Sequence, residues 1–311
     1  MNQFDSLLRL FSSTDTHFLM RKSDYISELA ALIPYVVGKK DISSGQKYAE
    51  RISEEFKTLK ASSDIKLTER YLTEQEDDSL AYYRILGTIT ADSYWRFSSK
   101  EFEYQLRMAD ANPAINGHFV HITSGGGEAW YLDQLAATIR SLTKPKFAFI
   151  EKVAASAGYY IASQFDKVST STPFDLIGCI GTMVSMMDIQ PALEKFGIKF
   201  IEEYASNSDL KNKKYNDLLD GKPEQFIHED LDPLQIQFVK DVKIKRSKIA
   251  TLTEDHAVLR GETFYGNPAL ELGLIDTIET FETAVNSAYN QALTCKANQQ
   301  SQRKRALAAL K

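Results

Sequence analysis

Cysteine is scarce: the 311-residue chain contains only Cys179 and Cys295. Neither has a partner at a zinc-binding spacing, so we expect reduced thiols, no disulfide framework and no metal site.

Long apolar runs are lacking as well. The most apolar early stretch, LAALIPYVV, is far shorter than the ~20 residues of a membrane-spanning helix, and the first residues lack the pattern of a signal peptide. The sequence therefore predicts a cytoplasmic protein without an integral membrane segment.

Excess positive charge is lacking too, since the formal net charge is −5 at pH 7. A mildly acidic surface does not attract nucleic acid or an anionic membrane, so we expect neither as a partner. What the chain does have is 43% hydrophobic and 25% charged residues, the balance of an ordinary globular protein. This composition argues against disorder, a collagen-like repeat and a coiled coil, and favours an α/β or α+β class.

Composition divides the chain into three parts. Residues 1–78 are polar with helical periodicity, which predicts a helical N-terminal extension. Residues 79–290 are predicted to form the main domain. Residues 291–311 carry a short basic cluster and are predicted to form a polar, basic tail that is solvated rather than a docking peptide.

Strand and helix signals alternate inside the main domain. Apolar runs rich in aromatic and β-branched residues predict strands at 81–90, 117–124 and 146–154. Helix-period segments follow them, and one is expected to carry Glu128 in its first turn. A later amphipathic stretch is expected to be interrupted at Pro233. Alternating strands and helices predict crossover connections and a mostly parallel sheet.

The motif TSGGGEAW, residues 123–130, places three consecutive glycines between a predicted strand and a predicted helix. Glycines there allow a ligand to approach backbone amides at the positive end of a helix, an arrangement that suits an oxyanion. The alternative is a turn that merely needs positive φ angles. The spacing matches neither a dinucleotide-binding loop nor a phosphate-binding loop, and we expect no cofactor.

The second motif is VAASAGYYIASQ, which predicts a strand, a turn and a helix that begins at Ser156. The small residues beside Ser156 leave room for a substrate carbonyl, and nearby helix amides would stabilise negative charge. The alternative is an ordinary serine N-cap. Tyr159 and Met183 would line an apolar pocket or, alternatively, belong to the core.

A serine hydroxyl needs a base before it acts as a nucleophile at neutral pH. No histidine lies between Ser156 and His228; we expect His121 inside the sheet and His228 on the surface. Lysine is the other candidate, because burial can lower a lysine pKa from about 10.4 by up to 3 to 5 units. Residues 199–223 supply several lysines.

Five motifs occur in order between about residues 80 and 290: ITSGGGEA, VAASAGYYIASQFDKV, IGCIGTM, ALEKFGIKF and GETFYGNPALELGLIDTIETFETAV. Together they resemble the signal peptide peptidase family of serine–lysine proteases, which includes the phage head-maturation (prohead) peptidases. The resemblance implies a Clp protease/crotonase-like α/β fold of stacked ββα crossover units. It also implies a serine endopeptidase that acts on peptide or protein substrates without metal or cofactor, in a symmetric homo-oligomer.

The resemblance also implies roles for particular residues. Ser156 would be the nucleophile and Lys211 the general base, with Lys213 and Lys214 as alternatives. The oxyanion would be held by three backbone amides, those of Gly126, Gly127 and Ala157.

Three residues depart from the family pattern: Thr123, Gly125 and Cys179. These departures motivate a second hypothesis, a catalytically silent assembly or scaffold protein of the same fold. A third hypothesis, a crotonase-type enzyme acting on coenzyme A thioesters, is disfavoured by Ser156 on its tight turn. Without a membrane anchor, the soluble phage-type branch is the better analogy. It suggests a phage procapsid as an alternative location, and residues 1–78 as a docking arm for a scaffold or capsid precursor.

Overall fold

The computed structural model describes residues 18–20, 48–61, 67–69, 77–185, 188, 190–195, 197, 199 and 201–309. Two β-sheets occur in this part of the chain. The larger sheet has eight strands, whose bounds are β2 (Leu67–Glu69), β3 (Ser79–Leu86), β6 (Ile115–Ser124), β8 (Lys146–Ala155), β9 (Lys167–Thr170), β10 (Leu176–Gly178), β11 (Thr263–Tyr265) and β12 (Thr277–Ile278). The smaller sheet has the order β1 (Phe18–Met20), β7 (Gly126–Glu128), β4 (Ile89–Thr90) and β5 (Phe97–Ser98).

Helices connect and cover these strands. Their bounds are α1 (Tyr48–Ala61), α2 (Ser99–Ala111), α3 (Leu132–Ser141), α4 (Ala157–Ser163), α5 (Gln190–Lys195), α6 (Lys213–Leu219), α7 (Glu224–Phe226), α8 (Asp232–Lys245), α9 (Ser247–Ala250), α10 (Gly266–Leu272) and α11 (Phe281–Ala309). A π-helical turn, Ile227–Leu231, joins α7 to α8. Among the described residues, no helix combines the length and the apolarity required to cross a bilayer.

The central strands β2, β3, β6 and β8 are parallel, and alternate side chains of β3 enter two different cores. Leu80 and Tyr82 belong to a buried cluster that includes residues of α11. Tyr83 and Ile85 belong to the larger cluster on the opposite face, with residues of α2, α3 and α4. This alternation follows from the two-residue period of a strand. The predicted α/β class with a mostly parallel sheet is confirmed.

Strand β8 changes partners along its length. On one edge its first half pairs with β9 and residues Val153–Ala155 pair with β10, while β6 pairs with its other edge in both halves. Lys152, between the two halves, has a φ of 67°, and the pairing of β6 with β8 shifts register so that Ser124 lies opposite Ala154. The carboxyl ends of β6 and β8 therefore lie side by side, where open parallel sheets form their sites.

The three predicted strands are confirmed, with one adjustment. The run 81–90 divides into β3 and β4 because Gly87, with a φ of 78°, turns the chain between them. The expectation that Glu128 lies in the first turn of a helix is wrong: Glu128 ends β7, and α3 begins at Leu132. Pairing of β7 with its neighbours keeps this segment extended, and the Glu128 Oε2 accepts a hydrogen bond from the Ala91 amide (2.7 Å).

The chain stays helical through Pro233, but the α-helical hydrogen-bond pattern is interrupted there, as predicted. The π-helical turn Ile227–Leu231 precedes α8, and Pro233, which has no amide hydrogen to donate, lies in the first turn of α8. The boundary predicted at residue 290 falls inside α11. Ala292 is buried and the Lys296 Nζ lies 2.7 Å from Asp78 Oδ1, so the helix packs on the domain up to this point, and residues 297–308 are exposed.

The described part of the N-terminal extension also belongs to this architecture. Helix α1 confirms the helical prediction at residues 48–61, but the strands β1 and β2 contradict it, and β2 extends the main sheet by pairing with β3. The Arg84 side chain on β3 bonds Glu55 of α1 (2.7 Å). The segment SDYISELAALIPYVV, which belongs to the extension predicted to be helical, lies outside the described residues.

Candidate active site

Ser156 lies between the end of β8 and the start of α4, in a backbone conformation that serine seldom adopts. Its φ is 54° and its ψ is −122°. A side chain at positive φ costs on the order of 1–3 kcal/mol and persists only where the surroundings enforce it. Here the Ser156 amide donates to the Gly178 carbonyl at the end of β10 (2.9 Å). The turn is therefore held by the sheet.

The Ser156 hydroxyl does not act as a helix cap, although Ser156 occupies the N-cap position of α4. An N-cap serine normally accepts a hydrogen bond from an amide of the first turn. Instead, the Ser156 Oγ donates a long hydrogen bond of 3.4 Å to the Gly181 carbonyl. The interpretation of Ser156 as an ordinary N-cap is therefore wrong, and the strain of the turn is not offset by capping.

The glycine-rich loop packs directly against this turn. A Cβ added to Gly158 would lie 2.9 Å from the Ser124 carbonyl oxygen, so the first turn of α4 touches the end of β6. A Cβ added to Gly127 would lie 1.9 Å from the Ile89 carbonyl oxygen, closer than any side chain can approach. Glycine at both positions is required for close approach of backbone segments, and only Gly126 in the loop has a positive φ, at 113°.

The three amides predicted to donate to the oxyanion lie in the glycine-rich loop and at the start of α4, and they differ in their hydrogen bonding. Ala157 is the first residue of α4, where a helix provides no partner for the amide. The Gly126 amide donates to the Ser124 Oγ (3.1 Å), whose hydroxyl in turn donates to the Gly87 carbonyl (2.6 Å). Gly127 lies in the middle of β7. The loop thus brings these amides to the Ser156 turn. The amide of Gly126 is already hydrogen-bonded to Ser124.

None of the three candidate lysines contacts Ser156 among the described residues. Lys211 lies in an exposed turn. Its ammonium group forms no hydrogen bond or ion pair with any of the described residues. Lys213 forms an ion pair with Asp217. Lys214 binds Asp230 (2.6 Å), a contact that raises the pKa of the Lys214 ammonium.

Histidine is not brought to Ser156 either. The buried His121 lies in the sheet as expected, with Nδ1 2.9 Å from the Tyr82 hydroxyl and Nε2 3.2 Å from Glu151. His228 lies on the surface as expected, beside Asp232 (2.9 Å). The described contacts of Ser156 therefore include neither a histidine nor a lysine.

A cavity of about 350 Å³ opens one helical turn beyond Ser156, on the α4 face that carries Tyr160. Its other lining residues are mostly apolar or acidic: Ala129, Trp130, Tyr131, Asp133, Glu229, Asp230, Pro233, Leu234 and Gln237. The Tyr160 hydroxyl donates to the buried Asp241, and burial raises the pKa of Tyr160.

Tyr159 and Met183 were suggested for a pocket wall, but neither lines this cavity, and Tyr159 is the neighbour of Tyr160. Tyr159 is a core residue whose hydroxyl donates to the Leu274 carbonyl (2.9 Å). Helical spacing would have identified Tyr160, because it lies four residues after Ser156 and therefore on the same face of α4.

Cys179 directly follows Gly178, whose carbonyl accepts the hydrogen bond from the Ser156 amide. Its φ is 56°, its side chain is half-buried and its amide donates to the Glu262 carbonyl (2.7 Å). The described residues contain no group of three or more histidine, cysteine, aspartate or glutamate side chains that could hold a metal ion.

These features define a three-layer α/β protein with a strained serine beside a glycine-rich loop, at the carboxyl ends of parallel strands. Peptidase family S49 matches residues 138–294, half of the chain, and the protein belongs to this family. The resemblance inferred from the five motifs is thereby confirmed.

Curated relatives agree with this assignment. The chain is 27% identical over 201 residues to a putative signal peptide peptidase SppA of Enterococcus faecium, covering 62% of this chain and 56% of that protein. It is 25% identical over 187 residues to Protease 4 of Haemophilus influenzae, covering 59% and 29%. It is 28% identical over 196 residues to the chloroplastic serine protease SPPA of Arabidopsis thaliana, covering 60% and 28%. The matches thus span between about a quarter and just over half of these relatives.

Solved structures with a similar chain path include two of different function. One is a membrane-bound stomatin-specific protease in complex with a substrate peptide, with a TM-score of 0.38 and 15% identity over 67% of this chain and 78% of that one. The other is an enoyl-CoA hydratase/isomerase family member, with a TM-score of 0.36 and 16% identity over 73% and 74%.

Proposed function

We propose that the protein is a serine endopeptidase in which Ser156 attacks the carbonyl carbon of a peptide bond. The observation that carries the proposal is the strained, non-capping Ser156 at the start of α4. A serine on a strained strand-to-helix turn projects its hydroxyl toward a substrate and sets it beside helix amides. The attack forms an acyl-enzyme and releases the amine product, after which water hydrolyses the ester.

The amides of Gly127 and Ala157 are proposed to stabilise the oxyanion of the tetrahedral intermediate. Backbone amides fixed within a strand and at the start of a helix need little reorganisation when charge develops. Gly126 contributes once Ser124 releases its amide. Loss of one such donor typically lowers turnover by about 10²–10³.

Lys211 is the proposed general base, because its ammonium is the one of the three that no described carboxylate holds. To accept the Ser156 proton it must lie within hydrogen-bond reach and be shielded from water, which lowers a lysine pKa. We propose that a symmetric homo-oligomer meets both requirements, with the lysine reaching the serine of a neighbouring copy or of its own chain.

The cavity beside Tyr160 supports a peptide substrate. Its apolar walls, which include Trp130 and Leu234, suit an apolar side chain, and its position one turn from Ser156 suits a residue close to the scissile bond. We propose that this cavity receives one side chain of the substrate.

The proposal is tested by labelling the full chain with a fluorescent fluorophosphonate and by following cleavage of a fluorogenic peptide library. We expect labelling and cleavage in the wild type and neither in Ser156→Ala. Lys211→Ala should abolish cleavage, and Lys211→Arg should not restore it, since arginine stays protonated. Cleavage that persists in Ser156→Ala would refute the assignment.

One observation favours a second candidate, a catalytically silent assembly protein of the same fold. Ser156 is fully buried beneath the Gly181 carbonyl, and no lysine contacts it within the described part of one chain. The same labelling and cleavage experiment distinguishes the two candidate functions when it is performed on the assembled form, isolated by size-exclusion chromatography. An assembled wild type that neither labels at Ser156 nor cleaves any peptide supports the silent candidate.

A further inference from the structure

The short strand β1 pairs antiparallel with β7, which follows the glycine-rich loop. The paired residues are Phe18 with Glu128, Leu19 with Gly127 and Met20 with Gly126. Strand β4 pairs with the other side of β7, at Gly127. A segment from the N-terminal part of the chain therefore occupies the edge of β7 that β4 leaves open.

This edge is the one along which an extended peptide would reach the serine. Strand β7 begins two residues after Ser124, against which the first turn of α4 packs. A strand exposes unpaired amides and carbonyls at a free edge, and an extended peptide can bind there by adding a strand. A peptide bound to β7 would lie beside the amides of the proposed oxyanion site.

The direction of β1 also suits a substrate. Because the pairing is antiparallel, the chain runs from Phe18, opposite Glu128, to Met20, opposite Gly126. It therefore heads toward the glycine loop and the Ser156 turn. A substrate running the same way would present the next peptide bond to the nucleophile.

We propose that Phe18–Met20 occupies the peptide-binding edge of β7 and competes with substrate for it. The inference rests on the proposed peptidase function and adds a regulatory segment to it. The competitor is a three-residue strand, so a longer peptide that forms more hydrogen bonds displaces it. It is also covalently joined to α1, which is anchored to β3 by the Glu55–Arg84 ion pair, so its binding is intramolecular.

The test uses the full-length chain with prolines at two consecutive positions, Phe18→Pro and Leu19→Pro. Hydrogen-bonding residues alternate along an antiparallel strand, so two consecutive prolines remove a cross-strand amide whichever residue donates. The matched control is Phe18→Ala with Leu19→Ala, which keeps every backbone amide.

We expect faster hydrogen–deuterium exchange at residues 126–128 in the proline variant than in the alanine control. We also expect the KM for a fluorogenic peptide to fall several-fold in the proline variant at unchanged kcat, because Ser156 and the oxyanion amides are untouched. A synthetic peptide of residues 14–24, TDTHFLMRKSD, should inhibit the proline variant more strongly than the wild type.

Equal exchange at residues 126–128 in both variants would overturn the pairing, and equal KM values would overturn the competition. The exchange measurement does not require activity. A chain that cleaves nothing, yet shows faster exchange in the proline variant, would refute the peptidase function while the pairing of β1 with β7 stands. In that case competition with substrate is overturned.

Discussion

Strain at a single residue, Ser156, connects the fold to the proposed chemistry. A φ of 54° is unfavourable for any residue with a Cβ, and the hydroxyl provides no cap in return. A serine at this position therefore does not raise the free energy of unfolding. The residue type at this position is therefore better explained by what the hydroxyl does than by what the fold needs.

Replacement of Ser156 by glycine should stabilise the fold. Glycine adopts positive φ readily, so Ser156→Gly should raise the free energy of unfolding by about 1 kcal/mol relative to Ser156→Ala, which keeps the Cβ and the strain. Urea titration followed by circular dichroism measures the difference. A glycine variant less stable than the alanine variant would contradict the strain argument.

Two glycines at the loop should respond differently to alanine. Gly87→Ala meets no atom within 4 Å and suffers only from its φ of 78°, so we expect a loss of about 1 kcal/mol. Gly127→Ala forces a Cβ into the Ile89 carbonyl, so it should displace β7 from β4 and lower the free energy of unfolding by more than Gly87→Ala. Unfolding in urea compares the two, and similar losses would argue against the close packing of β7 on β4.

At the scale of elements, strand β6 carries a buried histidine whose protonation opposes folding. The His118 ring lies between Asp110 (3.1 Å) and the Tyr83 hydroxyl (3.0 Å), with Lys144 and Lys146 nearby. Burial lowers the pKa of His118. As pH falls through about 6.5, the unfolded chain takes up a proton that the folded chain does not, so stability decreases.

Replacement of His118 should therefore flatten the pH dependence of stability. Between pH 7.5 and 5.5, the wild type should lose up to about 1.4 kcal/mol per pH unit from this residue, and His118→Gln should lack that loss. The control is His228→Gln on the exposed surface, which removes a histidine without altering the core. Chemical denaturation at several pH values measures the slope of stability against pH. An unchanged slope in His118→Gln would show that His118 protonates as easily in the folded chain.

Much of the fold could be predicted because its signals are local. The apolar runs of β3, β6 and β8 and the glycine-rich loop between β6 and α3 are visible in a few residues each. The assignment of Glu128 to a helix failed because the structure of Gly126–Glu128 is decided by its strand partners, β1 and β4, which lie elsewhere in the sequence. The effect of Pro233 could be predicted because a proline has no amide hydrogen for the α-helical ladder, and the π-helical turn lies directly before it.

At the scale of the whole molecule, the site is assembled from distant parts of the chain. Ser156 and the glycine loop could be predicted because each lies in a compact motif. The position of Lys211 could not be predicted from the sequence. Residues 201–212 form an exposed irregular segment, which has no helical or strand periodicity to locate it. A partner copy, which no single-chain pattern encodes, is the proposed means of bringing Lys211 to a serine.

Mixing two inactive variants tests whether subunits share the site. If the lysine of one copy serves the serine of another, Ser156→Ala and Lys211→Ala should each be inactive alone, and their mixture should regain up to about a quarter of the wild-type peptidase rate after dissociation and reassembly. The quarter follows from random pairing, in which one interface in four joins two intact residues. No recovery in verified mixed oligomers would show that each chain supplies both residues.

The pairing of β10 has a consequence for biosynthesis. The Ser156 turn is held by Gly178, and the next residue, Cys179, is held by the Glu262 carbonyl at the start of β11. A ribosome must therefore translate most of the polypeptide before the last of these supports emerges from the exit tunnel. The strained Ser156 turn therefore gains its last backbone supports only late in synthesis.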